Sequence, residues 1–300
     1  MKTTARDDMF ANRLAKTARH LGKWAKRNSI TCYRVYDRDI PELPVTVDFY
    51  AGAVVVNDYR IDPTDDAWLD GLAAIAQRIL DAPELHIKRR KRLTERRAGH
   101  QYERLATAFT TRVVTEGGHR FEINLTDYID TGLFLDHRDT RARVAREPAQ
   151  TMLNLFAYTG SFSVYAAAAG MRTTSVDLSA TYCEWAGRNL ALNQLEGEIV
   201  QADVREFLAT ARRAGRRWDV AVVDAPTFSN SKRMDYTFDL QRDHVALLND
   251  VAAVTSTAIW FSTNRKRFKF EYPGAASDET HATTPADFRG KPHRAYRIAL

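Results

Sequence analysis

Three short apolar runs in the second half of the chain end the same way. Residues 152–156 form an apolar run that leads into a polar turn closing at Gly160, and residues 161–169, rich in small helix formers, follow and stop at Gly170. The β-type run 173–176 then ends at Asp177, the run 198–202 at Asp203 and the run 218–223 at Asp224. Apolar run, glycine-ended turn and helix, repeated in this way, predict an open α/β sheet whose ligand crevice lies at the carboxyl ends of the strands. Residues 258–262 read as a further strand after a capped helix over 239–254, and residues 293–300 as a terminal strand.

The first half has a different rhythm. A helix is expected over 10–27, with Leu14, Ala18, Leu21, Trp24 and Ala25 on one face and Arg13, Lys16, Arg19, Lys23, Lys26 and Arg27 on the other. β-type segments at 31–36, 44–50 and 53–59 precede a helix over 67–80, and runs at 108–115 and 119–125 are joined by Glu116-Gly-Gly, a hairpin signal. The expected organisation is a basic N-terminal helix (1–27), a small α+β RNA-binding domain (28–125) and a cofactor domain (126–300). The bridging segment 124–138 is dense in polar groups around Gly-Leu-Phe-Leu. Residues 226–235 show neither helix nor strand periodicity and read as a long polar loop with one exposed Phe.

Composition narrows the class. With 44% hydrophobic and 27% charged residues the 300-residue chain reads as globular, and no apolar run approaches the roughly twenty residues a membrane-spanning helix needs. The first residues carry no apolar signal region, and two cysteines, Cys32 and Cys183, build no disulfide framework or metal knot. A cytosolic protein that binds neither membrane nor metal is expected. The net charge of +6 suits an acidic partner, and Lys88, Arg89, Arg90, Lys91 and Arg92 form a second dense basic run. With Arg13, Lys16 and Arg19 these are candidates for tracking an RNA backbone, although charge runs are also simply solvated faces.

Three carboxylates on one sheet edge repel a pyrophosphate, and the Gly160 turn has no Gly-x-Gly-x-x-Gly, which disfavours a nicotinamide dinucleotide. Hydroxyls, amines and a positive centre suit them, as in S-adenosylmethionine. An ordinary βα turn with a capping aspartate stays open as the plainer reading of Gly160 and Asp177.

Six stretches carry a family resemblance: Met-Phe-Ala-Asn-Arg-Leu (9–14), Cys-Tyr-Arg-Val-Tyr-Asp (32–37), Asn-Leu-Thr-Asp-Tyr-Ile-Asp-Thr-Gly-Leu-Phe-Leu-Asp-His-Arg (124–138), Asn-Leu-Phe-Ala-Tyr-Thr-Gly-Ser (154–161), Thr-Tyr-Cys-Glu-Trp-Ala (181–186) and Pro-Thr-Phe-Ser-Asn-Ser-Lys-Arg-Met (226–234). The chain resembles the large-subunit (23S) ribosomal RNA guanine-N7 methyltransferases, usually the second half of a fused two-enzyme protein. The resemblance implies a class I methyltransferase sheet with a reversed last strand, S-adenosylmethionine as cofactor, and ribosomal RNA or a pre-ribosomal particle as partner. It places Asn154, Phe156, Tyr158 and Gly160 along the cofactor, Asp177 with Leu178 at the ribose, and Asp203 with Val204 at the adenine. Phe134, His137 and Arg138 close over it, and Asp224, Pro226 and Phe228 form the floor where cofactor and base meet. Lys232 and Arg233 hold flanking phosphates. Two departures stand out: Asp-Ala-Pro at 224–226 replaces the family's Asp-Pro-Pro, and a companion methyltransferase half or helix-opening factor must come from elsewhere. The competing chemistries are cytosine-C5 methylation, which needs a nucleophilic cysteine, and a non-catalytic RNA-binding role for a relic fold.

Overall fold

The computed structural model describes residues 4–60, 66–89, 111–126, 130–230 and 236–300. Two compact units emerge, residues 1–135 with 286–289, and residues 136–285 with 290–300.

The first unit begins with α1 (Ala5–Arg27), started by a capping box between Thr4 and Asp7 rather than at Phe10. Phe10, Leu14, Leu21 and Ala25 bury its apolar stripe. Strands β1 (Cys32–Asp37), β2 (Val45–Tyr50) and β3 (Ala53–Asp58) pair antiparallel. Ala51 and Gly52, at φ +47° and +94°, make the tight turn between β2 and β3, where both central residues need positive φ. Helix α2 (Asp66–Ile79) leads to β4 (Glu84–Arg89), which adds parallel to β3. A hairpin of β5 (Thr111–Glu116) and β6 (His119–Asn124) turns on Gly117 and Gly118, both at positive φ, as the Glu116-Gly-Gly signal implies.

Strand β4 corrects the sequence reading of the second basic run. Its alternation is inverted: Ile87 is exposed and Lys88 is a largely buried strand residue, not part of an open basic face. Arg89 pairs with Asp66. Arg90, Lys91 and Arg92 lie outside the described residues.

The second unit is built on a seven-stranded sheet in the order β14-β15-β13-β10-β7-β8-β9. Its strands are β7 (Thr151–Leu155), β8 (Arg172–Asp177), β9 (Glu198–Gln201), β10 (Trp218–Asp224), β13 (Thr255–Thr263), β14 (Ala276–Asp278) and β15 (Arg294–Ala299). The first five run parallel, and β15 is antiparallel to β13, the reversed last strand. Helices α3 (Arg138–Val144), α4 (Ser161–Ala168), α5 (Ala180–Leu192), α6 (Val204–Arg213) and α7 (Leu240–Ala252) connect them. Period-two alternation sends Leu153, Leu155, Ala221, Val223, Ile259 and Phe261 into one core and Met152, Val220, Val222, Ala258 and Trp260 into the other. A sheet apolar on both faces must be covered on both, and each fully buried Leu, Val or Phe contributes about 1.5–3 kcal/mol.

The polar loop after β10 is more ordered than its sequence suggests. Two short strands, β11 (Phe228–Ser229) and β12 (Phe238–Asp239), pair antiparallel, and Asp239 then caps α7. Residues 231–235, including Lys232 and Arg233, lie outside the described residues. β14 and a one-turn helix, Thr280–Thr283, were not legible in the sequence.

Candidate active site

The turn after β7 carries the site's backbone. Phe156, Tyr158 and Gly160 have φ of +55°, +50° and +75°. For Phe and Tyr such conformations cost about 1–3 kcal/mol each and persist only where neighbours fix them. Here the Ala157 amide donates to Val176 O at 3.0 Å, and the Tyr158 amide to Asp177 Oδ2 at 2.8 Å. Gly160 is required for space as well, because a Cβ there would sit 2.8 Å from Ala186 Cβ. The rings of Tyr158 and Tyr182 meet edge-on at 4.6 Å, and Phe156 lies 6.0 Å from Phe238.

Asp177 ends β8. Its Oδ1 accepts from the Ser179 amide at 2.9 Å while Oδ2 holds Tyr158, so it ties two adjacent strand-end loops together. Burial raises its pKa, against the backbone amides of Ser179, Tyr158 and Leu178. A carboxylate has about four acceptor sites, so with three amides on it Asp177 keeps capacity for a ribose hydroxyl. The helix that follows is capped by Ser179, so Asp177 is not the capping aspartate of the plainer reading; it braces the two loops and keeps room for a ligand.

Asp203 caps α6, with Oδ1 accepting from the Arg205 and Glu206 amides at 2.9 and 3.2 Å, and Oδ2 accepts from the Tyr236 hydroxyl. Leu178 is half-buried beside Asp177. Val204 is buried in the core, so only its backbone is available to a ligand. Asn154 corrects the sequence expectation. It lies within β7, one residue short of the strand end, buried, with Nδ2 donating to Ser163 Oγ at 3.0 Å, and Ser163 in turn contacts Ser175 at 2.7 Å. A buried amide needs partners, and one N–H of Asn154 ties β7 to α4.

Asp224 closes β10. Ser262 Oγ donates to its Oδ1 at 2.6 Å, and Nε2 of His137 lies 3.7 Å from its Oδ2. His137 is buried, stacks on His293 at 4.3 Å, and its Nδ1 has no hydrogen-bond partner among the described residues. Burial lowers its pKa, opposed by Asp224 and Asp136, which favours a neutral imidazole. Asp136, His137 and His293 bring three potential metal-ligand atoms within 4.8 Å of one another. The imidazole planes are only 24° apart, so their in-plane lone pairs run side by side instead of converging on one ion.

Pro226 is half-buried and Phe228 is 45% exposed on its short ribbon. Arg138 is buried, and Phe134 belongs to the first unit, 39% exposed. On α1, Lys16 and Arg19 are exposed, whereas Arg13 is paired with Asp39. Ser262, Tyr236 and His293 were missed from the sequence: each meets its partner only through the fold, His293 from 157 positions away from Asp136.

Carboxylates at three successive strand ends, aromatic rings on the first turn and no basic residue within the turn's own sequence (156–160) make a set of groups that fits a cofactor carrying ribose hydroxyls, amines and a sulfonium. The chain belongs to the S-adenosylmethionine-dependent methyltransferase family, whose model matches residues 33–257. A Neisseria meningitidis protein named ribosomal RNA large subunit methyltransferase K is 43% identical over 308 residues, covering 96% of this chain and 86% of that protein. A Stutzerimonas stutzeri ribosomal RNA large subunit methyltransferase K/L is 46% identical over 309 residues, 97% of this chain but 42% of its own length. The chain thus spans less than half of the fused relatives it matches. A solved methyltransferase complexed with SAH superposes with a TM-score of 0.77 at 23% identity, covering 100% of this chain and 83% of the other.

Proposed function

We propose that the protein methylates N7 of a guanine in large-subunit (23S) ribosomal RNA. The observation that supports the ribosomal RNA part of this reading is the 43–46% identity, over nearly the whole chain, to proteins named as large-subunit ribosomal RNA methyltransferases; guanine N7 rests on the motif resemblance of the sequence. S-adenosylmethionine supplies the electrophilic methyl group when bound. Asp177 and Leu178 would hold its ribose, Asp203 and the Val204 backbone its adenine, and the Phe156–Gly160 turn its amino-acid end, with His137 and Arg138 beside them.

Guanine N7 carries a lone pair and no proton, so the chain needs no general base. Asp224, fixed by Ser262 and facing a neutral imidazole, keeps a negative field at the strand end. That field favours the positive charge developing on the methylated ring. Exposed Phe228 offers a stacking surface for a base drawn out of its helix, with Pro226 stiffening the segment before it. In A-form RNA the major groove that contains N7 is too narrow for side chains, so an unpaired base, or a helix-opening partner, belongs to the reading. The small first unit, with Lys16 and Arg19 exposed, is proposed to bind RNA, and the cytoplasm is the corresponding location.

Cytosine-C5 chemistry finds no support from the cysteines. Cys183 Sγ points at Asp177 O, 3.5 Å away, and burial with the Asp177 charge pushes its thiol up to about 11; Cys32 is buried in the first unit. The test is transfer from labelled cofactor to ribosomal RNA, followed by nucleoside analysis. Label in N7-methylguanosine supports the reading; label in 5-methylcytosine or an N2-methylguanosine overturns the regiochemistry. A folded protein that binds SAH and transfers nothing would support the non-catalytic alternative.

A further inference from the structure

The edge of the second unit's sheet opposite the candidate site carries an arginine-rich surface that the proposed chemistry does not use. Thr151 of β7, Arg172, Thr173 and Thr174 of β8, Glu198 of β9 and Trp218 of β10 are all at or near strand starts. With Arg216 and Arg217 they line a cavity of about 580 Å³. Arg212 and Arg213 extend the surface on the last turn of α6, and all five arginines are exposed.

Most of the local acid is already committed. Glu198 is held by Arg216, at 3.2 Å through its Oε1, and by Thr174 Oγ1 at 2.8 Å. Asp219 Oδ2 accepts from the amides of Gln150 and Thr151 and from the Thr151 hydroxyl. Arg216 lies over the Trp218 ring at 4.8 Å, which fixes it as a wall of the cavity. Arg217 donates to Thr255 O at 3.1 Å and Arg213 to Thr210 Oγ1 at 3.1 Å, neither of them a charge partner. Arg172, Arg212, Arg213 and Arg217 therefore have no carboxylate partner among the described residues, beside one free carboxylate, Glu196. The helix dipole accounts for arginines on the last turn of α6. It does not account for Arg172 or Arg217, which flank strand starts.

We propose that this surface is a second RNA contact, holding phosphates of a folded RNA whose target base lies at the other edge of the sheet. The proposal rests on the ribosomal RNA reading above. Strands of six or seven residues separate the two edges by about 20 Å, so one phosphate backbone reaches both only when the substrate is larger than a few nucleotides. Guanidinium groups are suited to the task because they bind phosphate in a planar, two-pronged geometry.

The test is Arg172→Glu/Arg213→Glu/Arg217→Glu, with Arg216 left intact to keep its bond to Glu198, and a milder triple Gln variant in case charge reversal disturbs folding. SAH affinity, which should be unchanged, reports on the fold and the cofactor site. Affinity for a transcript of one large-subunit ribosomal RNA domain should fall at least about tenfold, and its salt slope should flatten by about 0.7–0.9 per lost contact. Affinity for a trinucleotide should not change. Unchanged transcript affinity and slope in both variants, with wild type binding normally, overturn the second contact alone. A wild type that shows no salt-dependent binding to the transcript overturns the RNA reading itself.

Discussion

The Tyr236 hydroxyl donates a 2.9 Å hydrogen bond to Oδ2 of Asp203, the same carboxylate whose Oδ1 caps α6. Burial and this bond both raise the phenol's pKa, so it remains a donor, and Arg205 covers the ring at 4.3 Å. The end of the loop after β10 is thereby fastened to the residue proposed to meet adenine. Two backbone amides orient Asp203 without Tyr236. Tyr236→Phe should thus leave SAH affinity within severalfold, while Asp203→Ala lowers it and also removes a helix cap, costing about 1 kcal/mol of stability. Calorimetry with thermal unfolding checks both; a Tyr236→Phe loss equal to that of Asp203→Ala would show that the phenol is itself part of the cofactor site.

Asp177 has both a structural and a proposed ligand role, and two substitutions separate them. Asp177→Ala removes the acceptor that holds the Tyr158 and Ser179 amides, so SAH affinity should drop at least about tenfold and stability by about 1–3 kcal/mol. Asp177→Asn retains one carbonyl acceptor and should recover part of the stability but little of the affinity. Equal SAH affinity in all three proteins would remove Asp177 from the site.

His137 gives the pH dependence a definite sign. Its folded pKa is lowered from the ordinary 6.5, by burial first, so the fold favours the neutral ring. The titratable and charged groups facing it are Asp224, Asp136, His293 and Arg141. Its contribution to stability is complete above 6.5 and is lost as the pH falls below that value toward the folded pKa. Wild type should therefore lose Tm more steeply than His137→Gln as the pH falls below about 6.5. Parallel Tm-versus-pH curves would contradict this.

Neither cysteine should matter to catalysis. Cys183→Ser should retain methyl transfer within severalfold, because a half-buried thiol with a pKa of about 11 supplies almost no thiolate at neutral pH. Cys32→Ser should behave likewise apart from a stability cost, since its thiol is buried. Abolished transfer by a variant with a native circular dichroism spectrum would revive the cysteine-dependent chemistry.

Phe228 is exposed on a two-residue ribbon and makes little contribution to the core. Phe228→Ala should lower RNA affinity by about 1–3 kcal/mol, the range for a base-stacking aromatic, with little change in Tm. A large fall in Tm with unaltered RNA affinity would identify it as a packing residue instead.

The sequence by itself determined the α/β sheet, since strand-length apolar runs, a glycine-ended turn and intervening helices are local patterns set by side-chain periodicity. It also put Asp177, Asp203 and Asp224 at strand ends, because a strand stops where its apolar run stops. The Gly117-Gly118 hairpin was readable for a similar reason, as positive φ at both positions favours glycine. What each of these carboxylates holds was decided only by tertiary structure. Asp203 takes its bond from Tyr236, Asp224 from Ser262, and His137 stacks on His293. Asn154 and Lys88 show the same limit from the other side, as polar residues that the folded sheets bury. Contacts between residues tens to more than a hundred positions apart depend on strand order and register, and no short window of sequence contains either.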